Sequence, residues 1–314
     1  MKRCNLIVLI CLITQLAFGQ NKTISRDELL FEKGILLHEL ATSDLRLDAI
    51  IESNDSEESE KDLAAIIKET LLEKALEHYQ ELTDSFPTSA LLFRTLGNKG
   101  FIQLALEDRE AARETFQQIL DSKANDKEKG GTGSGLMMEP YANYKNTAAK
   151  VLAKLNLEDS NYTEALRYLD LTKQYPYLHF CGNAYAAETI HMSGLYAKCY
   201  LGLKDTAEAL KILLPHIVEN GLADNTDLVH LAYQTLLKKY SKDELKRRYI
   251  QAFKNCRTEK VKSKEYEYKR YFITFLDTKI ELDSWSLGYT EPNEQAKIIE
   301  ELCKNSLFYN LLNE

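Results

Sequence analysis

Residues 157–176 read LEDSNYTEALRYLDLTKQYP and contain the pattern from which the architecture of the chain follows. Ala165, Leu169 and Thr172 succeed one another at spacings of four and three residues, which places them on one face of a helix. The helix is predicted to begin after Asn161, a residue type that caps helix N-termini, and to stop before Pro176. A small residue at the first position lets a second helix approach closely.

The same spacing recurs along the chain. Its five occurrences are Ala75, Tyr79 and Leu82; Ala112, Phe116 and Ile119; Ala165, Leu169 and Thr172; Ala209, Leu213 and His216; and Leu245, Tyr249 and Ala252. Three of them have a matching first helix upstream, as Leu96 and Gly100 precede Ala112. The repetition predicts paired helices over residues 61–257.

This unit resembles the tetratricopeptide repeat family, whose repeat is two antiparallel helices with a small residue at the crossing. Residues 157–176 carry the resemblance, as does GLYAKCYLGLKDTAEALKILL at 194–214. It implies a mainly all-α fold, a right-handed α-α superhelix of the TPR-like solenoid type. The anchors Ala75, Ala112, Ala165, Ala209 and Leu245 are 37, 53, 44 and 36 residues apart. The regular unit is about 34 residues long, so extra chain is expected between the units.

Helix starts support this register. Serine, aspartate or asparagine followed three residues later by glutamate satisfies free backbone donors at a helix N-terminus. Four pairs fit: Ser25 with Glu28, Asn161 with Glu164, Asp205 with Glu208, and Ser241 with Glu244.

The first 19 residues are typical of a secretory signal peptide. Lys2 and Arg3 precede an apolar run over residues 6–13, and small residues close the segment at Ala17 and Gly19. Cleavage after Gly19 predicts a periplasmic or secreted protein. Peripheral association with the cell envelope is compatible with this prediction. Removing two cations leaves 38 cationic against 48 anionic side chains, a net charge of −10, which disfavours nucleic acid as a partner. No later run reaches the roughly 20 apolar residues of a membrane span.

Three regions flank or interrupt the array. Residues 20–60 are expected to form an N-terminal helix and a solvated acidic loop over residues 52–60. A flexible loop is expected at 123–140, where KGGTGSG occupies residues 129–135. Residues 258–314 form a C-terminal extension or cap. Within it, residues 268–282, which include RYFITFLDTKIEL, indicate a β-hairpin turning at Asp277 and Thr278, with a buried helix as the alternative. A last helix is expected over about residues 294–312.

Motifs for cofactor, metal or catalytic chemistry are incomplete. The glycine-rich segment lacks the Gly-Lys-Ser/Thr ending of a phosphate-binding loop. His38 and Glu39 begin like a zincin motif, but Thr42 stands where the second histidine is needed. We therefore expect no cofactor and no catalytic motif.

Histidine and cysteine spacing argues against a metal site as well. The candidate ligands are His179, Cys181, His191 and Cys199. His191 and Cys199 are eight residues apart, about 12 Å along a helix, which is too far to share one ion. For a disulfide, Cys256 with Cys303 is the pairing to consider.

In tetratricopeptide-like proteins the first helix of each pair lines a concave groove. The resemblance therefore places a partner-binding groove at Arg94, Asn98, Phe101, Lys150, Lys154, His191 and Lys198. Cations repeated along such a groove would attract a protein or peptide, in particular an acidic segment or a free carboxylate terminus. Exposed lysines on solvated helix faces are the competing interpretation.

A second charged feature is the stretch 238–270, with 13 Lys or Arg against 5 Asp or Glu. It is either a docking surface for an anionic partner or a set of solvated helix faces. The function expected from the sequence is that of an exported binding scaffold. The alternative is an envelope enzyme, or the regulatory subunit of one, with its site in a crevice between the array and the C-terminal region.

Overall fold

Helices make up most of the protein, and a small antiparallel sheet lies near the C-terminus, as the sequence predicted. The computed structural model describes residues 24–130, 139–218, 223–262, 267–282 and 292–314, the side chains of residues 292 and 293 apart. The predicted signal peptide and the centre of the glycine-rich segment, residues 131–138, lie outside the described residues. Next to that segment, Ala142 donates a backbone hydrogen bond to Glu128 at 2.8 Å.

The elements follow one another in chain order. The helices before the sheet are α1 (Arg26–Glu39), a π-helix (Leu40–Asp44), α2 (Leu47–Glu52), α3 (Glu58–Ser85), α4 (Leu92–Ala105), α5 (Arg109–Asp121), α6 (Tyr144–Glu158), α7 (Tyr162–Gln174), α8 (Gly182–Gly202), α9 (Thr206–Leu213), a 3-10 turn (Leu214–His216), α10 (Thr226–Leu237) and α11 (Lys242–Lys254). The remaining elements are β1 (Arg257–Lys262), β2 (Glu267–Phe275), β3 (Thr278–Leu282), α12 (Pro292–Asn305) and α13 (Leu307–Leu311).

The chain forms two compact units that divide between Thr115 and Phe116, within α5. The core of the N-terminal unit surrounds Tyr79 of α3, which is fully buried with Phe31 beside it. Gly34 of α1 faces the same ring, and a Cβ there would come within 2.3 Å of it. Glycine at this position is therefore what allows α1 to lie against α3.

The residues of the recurrent spacing form the interior of the helix pairs. Of the fifteen positions, fourteen are buried, and His216 is half-buried. The alanines Ala75, Ala112, Ala165 and Ala209 are all fully enclosed. Leu245 is enclosed too, so this position accepts a larger side chain in α11 than in its counterparts.

Three helix pairs share one turn geometry. The pairs are α4 with α5, α6 with α7, and α8 with α9. In each, one non-glycine residue adopts the left-handed conformation five positions before the buried alanine: Glu107 (φ 63°), Ser160 (φ 61°) and Lys204 (φ 62°). The next residue then donates a backbone hydrogen bond of 2.8 Å to the carbonyl five residues earlier: Asp108 to Gln103, Asn161 to Asn156, and Asp205 to Tyr200. This is a Schellman-type helix ending, and its recurrence fixes the same reversal three times.

The predicted caps are confirmed at three of four helix starts. The Ser25 side chain accepts from the backbone of Glu28 while the Glu28 carboxylate accepts from Ser25. Asp205 and Ser241 likewise accept from the glutamates three residues on. Asn161 occupies the expected position, but its side chain makes no cap. Its amide nitrogen instead donates to Asn156 at 3.3 Å, because the tight turn brings that side chain within reach.

The acidic stretch is less open than predicted. Only residues 53–57 leave the helical conformation, and α3 already begins at Glu58. Glu57 and Glu60 cap this helix reciprocally. Carboxylates in a first turn are stabilised by the free N–H groups and the helix dipole, so charge density here starts a helix and does not prevent one.

The predicted hairpin is present and has a third strand that was not foreseen. β2 pairs with β3, from Tyr271 opposite Leu282 to Phe275 opposite Thr278. The turn is at Leu276 and Asp277, both with positive φ, one residue earlier than expected. β1 pairs with the other edge of β2 through backbone hydrogen bonds, although its side chains are almost all exposed and give no apolar signal.

The last helix was predicted as one segment, and it is two. Ser306 is buried and separates α12 from α13, because its hydroxyl caps the second helix by accepting from the backbone of Tyr309. It also lies 3.2 Å from the hydroxyl of Tyr249. The Tyr249 ring meets Phe275 and Phe308 edge-on at 5.4 and 5.2 Å, which anchors sheet and terminal helix to α11.

If Ala165 is a true helix crossing, replacing it with leucine should destabilise the C-terminal unit by about 1–3 kcal/mol, because the added methylenes have no space. Thr163→Leu, at an exposed position of the same helix, should change stability by less than about 0.5 kcal/mol. Urea unfolding followed by circular dichroism measures both. Equal effects of the two variants would contradict the crossing.

Candidate functional site

Four of the seven predicted groove residues come together in the C-terminal unit. Lys150 and Lys154 lie one turn apart on α6, and His191 and Lys198 lie two turns apart on α8. The charges of all three lysines act on the His191 ring. We call these four residues the cation cluster.

Lys150 does not have a free charge. Its Nζ lies 2.9 Å from each carboxylate oxygen of Glu188 on α8. It also stands over the ring of Tyr177, 5.0 Å from the centroid. Both charged side chains are less than a fifth exposed, so this ion pair is held in place and joins α6 to α8.

The charges open to a partner are those of Lys154 and Lys198. Lys154 is exposed and reaches Glu158 only at 3.9 Å, a helix-surface pair that contributes little. Lys198 is exposed and makes no ion pair within the described residues. Of the predicted cations, these two can therefore meet an anion without breaking a strong contact.

The surroundings of His191 disfavour the protonated form of its ring. Desolvation is the main cause that lowers its pKa, and Lys150, Lys154 and Lys198 lower it further, against the opposing effect of Glu188. Because the folded-state pKa lies below the ordinary value of about 6.5, the unfolded chain takes up the proton first as pH falls. The stability that neutral His191 contributes is thus present above that pH and lost below it.

The other three predicted residues, Arg94, Asn98 and Phe101, lie on α4 in the N-terminal unit. Asn98 donates a 3.2 Å hydrogen bond to the hydroxyl of Tyr79, so it serves the core of that unit. Phe101 is 43% exposed, and Arg94 is half-buried.

Beside the cation cluster lies a cavity of about 680 Å³ that the sequence did not reveal. It is bounded by α6, the end of α7, the following loop, α8 and α9. Four tyrosines line it: Tyr177, Tyr185, Tyr196 and Tyr200. Glu188 lines it too, so its ion pair with Lys150 connects the cavity to the cation cluster. We call it the tyrosine cavity.

Three of the tyrosine hydroxyls already have acceptors for their protons. Tyr177 donates to Glu139 at 2.6 Å, Tyr185 to the carbonyl of His179 at 2.6 Å, and Tyr196 to Asp170 at 3.0 Å. Desolvation and the nearby carboxylate raise the pKa of Tyr196 to about 12 and that of Tyr177 further. These rings are held rigidly and offer their faces, not their protons, to a ligand.

The side-chain oxygen of Asn146 is a hydrogen-bond acceptor that receives no hydrogen bond from the described residues. Its side chain is 1% exposed, and its amide nitrogen donates to the carbonyl of Tyr175 at 2.8 Å, which fixes the amide orientation. Its Oδ1 accepts no hydrogen bond from the part of the chain that the structure describes. Most buried polar atoms in proteins have a hydrogen-bond partner, so the donor to this oxygen is expected to be a water molecule or a ligand group.

Two threonines of the cavity also present hydrogen-bond acceptors. Thr172 and Thr189 donate to the helix carbonyls of Leu169 and Tyr185, at 2.6 and 2.8 Å. Their oxygens can then only accept. Lys173, a cation on the wall, is bound to Asp170 at 2.6 Å. The tyrosine cavity therefore combines aromatic faces with hydrogen-bond acceptors.

The described part of the chain contains no group of three or more His, Cys, Asp or Glu side chains arranged for a metal ion. His179 uses its Nδ1 to accept a hydrogen bond from the backbone of Cys181 at 2.9 Å. Cys181, Cys199, Cys256 and Cys303 are all free thiols. Burial raises the pKa of Cys199 to about 11, which disfavours its thiolate.

Comparison with known proteins gives no family. No family model matches the chain, and neither the curated proteins nor the solved structures that were searched contain a significant match. Within the described ranges, no helix has the length and apolar character needed to cross a bilayer.

The cation cluster predicts a measurable titration. The His191 ring, followed by NMR from pH 5 to 8, should titrate below its ordinary value of about 6.5, since desolvation and three lysines oppose its charge. Replacing Lys154 and Lys198 with glutamine should move the midpoint upward. The same double change at Lys123 and Lys127, exposed lysines of the same unit, should leave it in place. An unaltered midpoint in the first variant would show that the cluster does not act on the ring.

Proposed function

We propose that this protein is an exported tetratricopeptide-like scaffold that binds a peptide segment of a partner protein on the surface formed by α6 and α8. The observation that carries the proposal is the contiguity of two complementary features. The cation cluster leaves Lys154 and Lys198 open to an anion, and the adjoining tyrosine cavity is lined by Asn146, whose buried Oδ1 accepts no hydrogen bond from the described residues.

The repeated turns support the scaffold part of the proposal. Three helix pairs reverse through the same left-handed residue and the same 2.8 Å hydrogen bond, five residues before a buried alanine. Repetition of one helix-pair unit is what the tetratricopeptide architecture requires. In such arrays the first helices of successive pairs, here α6 and α8, form the binding surface.

A peptide matches both chemical demands of the surface. Its backbone N–H groups can donate hydrogen bonds to the exposed hydroxyl oxygen of Thr189, and to the buried oxygens of Asn146 and Thr172 where side chains of the wall move aside. Apolar or planar side chains fit against the rigid tyrosine rings. A carboxylate, from an acidic side chain or a chain end, pairs with Lys154 and Lys198. Lys150 acts indirectly, by holding Glu188 and with it the boundary of the cavity.

A peptide array tests this proposal. We expect the full chain to retain a subset of random peptides that contain an aspartate, a glutamate or a free C-terminal carboxylate. Lys154→Glu with Lys198→Glu should abolish this retention, because two attractive charges become repulsive. Matched changes at Lys123 and Lys127 alter the net charge equally and should preserve it.

Asn146→Leu tests the cavity separately. Losing one acceptor for a peptide N–H should weaken the selected peptides about five- to tenfold, as expected for a hydrogen bond of about 1 kcal/mol and the lost fit. Circular dichroism checks that the variant is folded. Peptide retention unaffected by the lysine changes and by Asn146→Leu would refute the proposed surface.

A further inference from the structure

A second cavity, of about 610 Å³, opens on α9, α11 and the β2–β3 turn of the C-terminal unit. Four cationic side chains line it: Lys211, Lys239, Arg248 and Arg257. Asp277 is the single carboxylate among the lining residues. The amides of Gln251 and Asn255 add further N–H donors. The balance of charge and donors is opposite to that of the tyrosine cavity.

Two of the four cations are available to a ligand. Lys211 is bound to Glu208, and Arg248 is bound to Glu244 at 2.7 Å, and neither glutamate lines this cavity. Lys239 and Arg257 are exposed and make no ion pair within the described ranges. An anion that enters can pair with both without displacing an existing carboxylate.

The cations are also held in position. Lys239 and Arg248 stand over the ring of Tyr240, at 5.2 and 5.3 Å from its centroid. Arg257 opens strand β1 and is fixed at the backbone by pairing with Phe272 of β2. Cations over an aromatic ring lose less freedom on binding than lysines on an isolated helix, and the position of Arg257 beside the cavity is set by the backbone of its strand.

We infer that this cavity binds the oxyanion group of an anionic small molecule, such as a phosphate monoester. Phosphate presents several acceptor oxygens and up to two negative charges, which match two unpaired cations and the neighbouring amide donors. A volume of about 610 Å³ is within the range of small-molecule sites and exceeds what inorganic phosphate alone would fill. The site goes beyond the peptide surface and does not depend on it.

Isothermal titration of the full chain with glucose 6-phosphate and with glucose tests the inference at low salt. We expect heat of binding with the phosphate ester and none with the neutral sugar. Lys239→Gln combined with Arg257→Gln should weaken binding about tenfold or more, since each removes a charge-assisted hydrogen bond. Lys238→Gln with Lys254→Gln changes the net charge equally at exposed positions that do not line the cavity, and it should retain the affinity.

Vesicles of phosphatidylglycerol, with phosphatidylcholine as the control, distinguish a lipid headgroup from a free ligand. Binding to anionic vesicles that is lost in the Lys239 and Arg257 variant, but not in the control variant, would assign the same site to a lipid phosphate. An equal loss in both variants would reduce the effect to bulk charge and overturn the inference. Absence of binding to phosphate ester and vesicles alike would also overturn it. Neither result bears on peptide retention by Lys154 and Lys198.

Discussion

Close contact between two helices at a buried alanine is the constraint on which the repeated part of the protein depends. An alanine has no side chain beyond Cβ, so the partner helix can approach to the backbone. The left-handed residue five positions earlier sets the direction of approach. Such a conformation costs a non-glycine residue about 1–2 kcal/mol, which the closing hydrogen bond and burial of the pair offset. Ser160 and Lys204 carry this conformation without the help of a glycine.

The packing of the helix pairs fixes the positions of polar side chains on neighbouring helices. Once α6 and α8 are fixed, Lys150 and Glu188 meet at 2.9 Å, and a nearly enclosed ion pair of this kind is costly to break from one side. The ion pair neutralises the charge of Lys150, and its other member, Glu188, lines the tyrosine cavity. The same contact thereby separates a region that attracts anions from one that accepts hydrogen bonds.

Periodicity predicted the helix pairs because the core residues repeat locally, and alternation of β-branched and aromatic residues predicted the β2–β3 hairpin. Strand β1 was missed because it pairs through its backbone and buries almost no side chain. The break at Ser306 depends on a buried hydroxyl that no periodicity marks. For the site, spacing placed Lys150, Lys154, His191 and Lys198 on matching helix faces, but the partner of Lys150 is 38 residues away in sequence.

The two cavities of the C-terminal unit show why composition could not reveal either one. A stretch with a large excess of lysine and arginine contains ion pairs that occupy part of its cations, as Arg248 with Glu244 and Arg270 with Glu281 do. The cations that a ligand could pair with are those that make no ion pair inside the protein. The tyrosine cavity follows the same rule for hydrogen bonds, since the hydroxyl protons of Tyr177, Tyr185 and Tyr196 are used internally. The charge and hydrogen-bonding character of each cavity therefore depends on which internal partners its side chains already have.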